Sequence, residues 1–168
     1  LDIKKESNPF AELPSHFTNN YFNNGLFIDE NSSPKINNLI NEICEKLFLP
    51  RSSVNLFVFA SPDIQATCLN VSQKKCVIQI SSSLVNLLNE KELSFVIGHE
   101  LGHFIFDHGL ETDNKNSLEF FQKLRSQEIS VDRIGLISCD KLDYAMSAIV
   151  KSISGLDEKF LNFNIGHF

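Results

Sequence analysis

The chain has no tryptophan, and its four cysteines, Cys44, Cys68, Cys76 and Cys139, form no CxxC pair. That spacing excludes a cysteine-rich zinc knuckle. It fits free core thiols, with a Cys68–Cys76 bridge across a hairpin as the alternative in an exported chain. Long apolar runs are also missing. The longest, such as Val54 to Ala60, fall far short of the ~20 residues that cross a bilayer. No basic-then-apolar leader opens the sequence. It starts at Leu1, not Met, and so reads as a fragment of a longer precursor. Neither sign of charge forms a block, and a net charge of -6 leaves no basic patch for nucleic acid.

What is there suits one globular domain: 168 residues, 42% of them hydrophobic, with no internal repeat and no dividing linker. Residues 1–33, rich in Asn, Ser and Pro with scattered aromatics, read as an irregular N-terminal arm over a domain spanning 34–168. The arm's rings need burial, and the walls of a cleft are one place for it. Ser33 and Pro34 open a helix with Ile36, Leu39, Ile40, Ile43 and Leu47 on one face, ended by Pro50. Strands are expected at 55–60, 67–71 and 76–81. A short helix begins at Leu84. Asn89, with Glu90 and Glu92 behind it, caps a longer helix that stops near Gly109. A polar loop at 113–116, a helix over about 117–137 and a last helix from Leu142 to Ser152 complete the chain. The fold class is α+β: a small, mostly antiparallel sheet packed on helices, with the helix after Asn89 at the centre.

That helix carries His99-Glu100-Leu101-Gly102-His103, an H-E-x-x-H. Two histidines four apart project from one helical face and can share one zinc ion at about 2.0–2.1 Å each. Glu100, between them, is placed to act on water as a general base. A catalytic zinc site takes three protein ligands plus water. Glu128, on the next long helix, supplies the third if that helix returns antiparallel. Asp132, one turn later, accepts the free ring N–H of a ligand histidine, His99 in the simplest arrangement. His108 lacks the Gly-turn spacing that would make it a ligand. Gly98 and Gly102 are small enough to let other chain segments approach the metal.

These residues resemble the HtpX, CAAX-prenyl-protease and BepA/OMA type of zinc metallopeptidase, a gluzincin with H-E-x-x-H followed by E-x-x-x-D. The resemblance rests on Gln65 to Cys68, Ile78 to Ser81, Leu87 to Leu93, His99 to His103, and Glu128-Ile129-Ser130-Val131-Asp132-Arg133-Ile134-Gly135. It implies a compact zincin-like (minigluzincin) domain and metal-assisted peptide hydrolysis. His99, His103 and Glu128 then hold one Zn²⁺, Glu100 is the base, and Asp132 orients a ligand. Protein or peptide substrates follow, as does a periplasmic or membrane-associated setting. The edge strand departs from the family's lettering, and Val131 replaces the common Ala. An extended substrate would pair with the edge at Ala66, Thr67 and Cys68. His167, Tyr144 and Arg133 are the candidates for an oxyanion donor. A zinc-binding interaction domain with little turnover is the alternative reading, against which the intact Glu100 stands.

Overall fold

A computed structural model of the chain describes residues 25–107 and 118–161. Helix α1, Pro34–Lys46, begins with proline at its first position, where a missing N–H costs nothing. Its buried face is Leu39, Ile40, Ile43 and Cys44. Phe48, with φ 55°, turns the chain out of the helix ahead of Pro50.

Strands β1 (Gly25–Phe27), β2 (Val54–Phe59), β3 (Ala66–Ser72) and β4 (Lys75–Ser81) form one sheet in the order β1-β2-β4-β3. β3 and β4 make an antiparallel hairpin closed at Ser72 and Lys75. β4 then lies parallel to β2, with Leu56 opposite Ile78, while β1 pairs antiparallel with β2. The sheet is therefore mixed rather than uniformly antiparallel. The hairpin forces this, because β3 takes the outer edge and leaves β4 beside β2. β1 falls within the stretch expected to be irregular, and the adjoining Ile28 is 1% exposed, so the end of that stretch belongs to the core.

Short helix α2, Ser82–Leu87, starts at Ser81, whose hydroxyl accepts from the Leu84 N–H at 3.2 Å. Helix α3, Glu90–Ile105, opens on a full capping box. Asn89 Oδ1 accepts from the Lys91 and Glu92 N–H groups, and Glu92 Oε2 accepts from the Asn89 N–H at 2.8 Å. Helix α4 runs Leu118–Cys139, and α5 runs Leu142–Ser154 and ends at Gly155 in the left-handed conformation, φ 71°. The main core joins α1, β2, β4, α2 and the Leu93–Ile97–Leu101 face of α3. A second, smaller core of Phe95, Cys139, Ala145 and Ala148 ties α3 to α4 and α5. All four cysteines are free. His108, the 113–116 loop and most of the expected arm lie outside the described residues.

Candidate metal centre

Glycine sets how α3 and α4 meet. A Cβ added to Gly98 would lie 2.1 Å from Ser138 Oγ, one on Gly102 2.8 Å from Val131 Cβ, and one on Gly135 2.8 Å from the Phe95 ring. Gly98 thus faces Gly135 and Ser138, and Gly102 faces Val131, so the helices run antiparallel with their backbones unusually close. The room left by Gly98 and Gly102 is filled by α4, the segment that carries Glu128 and Asp132 toward the two histidines. Close packing brings the middle of α4 level with His99 and His103.

There His99, His103 and Glu128 each offer a ligand atom, all within 4.8 Å of one another. His99 Nε2 lies 3.5 Å from Glu128 Oε2, and His103 Nε2 lies 3.8 Å from Glu128 Oε1. Ligands about 2.0–2.1 Å from one tetrahedral ion stand roughly 3.3 Å apart, so the donor set is slightly open for zinc and of its size. The other ring nitrogen of His99, Nδ1, is 2.9 Å from Asp132 Oδ1. An Nδ1–H donating to that carboxylate leaves the Nε2 lone pair turned to Glu128. The 3.5 Å gap there is long for a charge-assisted hydrogen bond, about 2.7–2.9 Å, and suits a cation between two acceptors better than a shared proton. The histidine side chains are about a quarter exposed and Glu128 is half exposed, which leaves one side open to solvent. The residues present fit a three-ligand zinc site with a free position.

Glu100 is half-buried between α3 and the edge strand. Burial pushes its carboxyl above the usual carboxylate range and Glu128 adds to this, while His99 and the Cys68 backbone N–H pull against it. β3 ends the sheet among the described residues, with Ala66, Thr67 and Cys68 along its first half. Asn70 Nδ2 donates to Asp107 Oδ1 at 3.3 Å, holding the strand to the end of α3.

Beside His99 opens a cavity of about 390 Å³. One wall is Phe95 and Val96 of α3, the other Ala148, Ile149, Ser152 and Ile153 of α5, and Ile64 with Ala66 forms the rim. His99, Glu100, Glu128 and Asp132 also line it. Arg133 and Tyr144 do not line it. Arg133 is exposed on α4, and Tyr144 packs on the smaller core with the Lys141 ammonium 6.0 Å from its ring centre. His167 lies outside the described residues. The α5 wall was not anticipated from the sequence, where Ala148, Ile149 and Ser152 look like ordinary positions of an amphipathic helix.

The sequence pattern that defines peptidase family M48 matches residues 30–124, from just before α1 into α4. It includes the H-E-x-x-H but stops short of Glu128 and Asp132. The chain is 27% identical over 163 residues to the plastoglobule-localized metallopeptidase 48, chloroplastic, of Arabidopsis thaliana, which covers 85% of this chain and 47% of that protein. It is 30% identical over 80 residues to a protease HtpX homolog of Thermococcus kodakarensis, covering 48% of this chain and 27% of that one. The chain thus spans about half or less of the curated relatives it matches. No solved structure matches it.

Proposed function

Since this chain belongs to peptidase family M48, we propose that it is a zinc-dependent metalloendopeptidase domain in which His99, His103 and Glu128 hold one Zn²⁺ and Glu100 is the general base. The finer fold assignment, a zincin-like minigluzincin domain built around α3, belongs to the same proposal; α3 packs against α1, β3, β4, α4 and α5. The observation that supports it most is the convergence of the three donors, with Asp132 bonded to the far nitrogen of His99. Zinc bound to such a donor set supplies Lewis acidity, polarising a carbonyl and lowering the pKa of water toward ~7.

The chain's own residues do the rest. Asp132 fixes the tautomer and rotation of His99. Glu100 accepts a proton from the attacking water and delivers it to the leaving amine nitrogen. An extended peptide adds to the outer edge of β3 through backbone hydrogen bonds. Antiparallel pairing, the more stable kind, runs the peptide from the Ser72 end toward Ala66. The cavity beside Ala66 then receives an apolar side chain on the C-terminal side of the cleaved bond. Substrates are proteins or peptides. The membrane-associated or periplasmic setting implied by the resemblance is part of this proposal. No described helix is long and apolar enough to cross a bilayer, so an anchor would lie outside the described residues.

Casein hydrolysis by the purified chain tests the reading. Cleavage should stop with chelator and return with zinc. Zinc binding without any cleavage would point instead to an interaction domain.

A further inference from the structure

The two walls of the cavity are joined by a buried ionic network that the chemistry above does not use. Glu92, in the first turn of α3, and Lys151, on α5, have side chains only 3% exposed. Lys151 Nζ donates to Glu92 Oε1 at 2.9 Å and Oε2 at 3.0 Å. Ser147 Oγ donates to Glu92 Oε1 at 2.5 Å. Glu92 Oε2 also closes the α3 cap, and Lys151 reaches Glu158 Oε2 at 3.4 Å in the segment beyond α5.

Burying two charges is costly before their attraction returns the loss, so apolar residues of similar volume would hold two helices together as well. What an ion network adds is one rotation and one register. Ser147 and Lys151 alternate along α5 with Ala148, Ile149, Ser152 and Ile153, the cavity wall. Glu92 lies on the same helix as Phe95 and Val96, the facing wall. Beyond α5, Gly155 lies against Ile64 at the rim, where an added Cβ would be 3.3 Å from Ile64 Cδ1.

We propose that Glu92 and Lys151 are positioning residues for substrate selection: their buried pair sets α5 against α3 so that the two helices form a pocket shaped for a large apolar side chain. This rests on the peptidase reading of the adjoining site. The pair touches no metal donor, so losing it should alter recognition of the side chain and leave zinc binding as it was.

The test uses the Glu100→Gln background, which removes turnover. Two fluorescein-labelled decapeptides that differ only in a central Leu or Ala are titrated, with zinc affinity measured in parallel. The Glu92→Gln/Lys151→Met variant keeps the capping bond, which Gln also makes, and removes both charges. Its Kd for the Leu peptide should rise about tenfold, its preference for Leu over Ala should collapse, and its zinc affinity should stay within about twofold. Lys151→Arg, which retains the charge, should keep most of the preference. Ser147→Ala, milder and bound to stay folded if the double variant does not, should raise the Leu-peptide Kd about threefold. Unchanged Leu-over-Ala preference in the folded double variant, or an unchanged Leu-peptide Kd in Ser147→Ala should the double variant not fold, would overturn the positioning role alone. A parent protein that binds zinc but neither peptide would overturn the peptidase reading, and this inference with it.

Discussion

Replacing Glu100 by glutamine exchanges one carboxylate oxygen for an amide nitrogen at nearly constant shape. The group stays half-buried beside the Cys68 N–H, and only the proton acceptor is lost. Glu100→Gln should therefore bind zinc as the parent does while hydrolysis falls about 10²–10⁴-fold; turnover within a few-fold of the parent would remove Glu100 from the role of base. Asp132→Asn acts one bond further out. Its carboxylate accepts from His99 Nδ1 at 2.9 Å, and the amide can still accept but carries no charge. Zinc affinity should drop about 10–100-fold with the thermal midpoint little changed. An unaltered affinity would mean that this contact does not hold His99 for the metal.

At the level of elements, the meeting of α3 and α4 decides whether a site exists. Alanine in place of a helical glycine ordinarily stabilises by roughly 0.5–1 kcal/mol. At Gly102 the new Cβ would press on Val131 at 2.8 Å, and overpacking costs about 1–3 kcal/mol. Gly102→Ala should thus give no gain in stability and should weaken zinc binding at least tenfold, because α4 carries Glu128 away. Tighter zinc binding in that variant would contradict the packing account. The α3–α5 contact has its own signature. Burial alone would lower the Lys151 pKa, but the hydrogen bond and charge of Glu92, then those of Glu158, hold it above the ordinary value. A lysine raised in the folded state stabilises fully below the unfolded pKa of ~10.4, and that contribution is lost as pH rises through the folded value. The groups facing the Lys151 ammonium are Glu92, Ser147 and Glu158. The urea midpoint should fall above about pH 10.5 in the parent and fall less in Lys151→Met; identical alkaline profiles would refute it.

Over the whole molecule, what could be read in advance was what local pattern encodes. Helical spacing marked α1, Asn89 with Glu90 and Glu92 behind it marked the start of α3, and two histidines four apart declared their shared face. Pairings between distant segments could not be read that way. β1 is three residues among asparagines, too short to signal a strand, and gains its place only by pairing with β2. The parallel contact of β4 with β2 follows from where the hairpin puts β3. Gly98 and Gly102 announced a close approach without saying of what. The cavity wall on α5 and the Glu92–Lys151 pair depend on two helices some 60 residues apart in sequence, 59 by the Glu92–Lys151 separation.

The proposed chemistry requires one metal centre, and the most direct measurement is anomalous X-ray diffraction at the zinc edge on crystals of the zinc-loaded chain. It should place a single ion per chain about 2.0–2.2 Å from His99 Nε2, His103 Nε2 and a Glu128 oxygen. A chain saturated with zinc yet showing no ion there, or an ion held by other residues with Glu128 turned away, would contradict it.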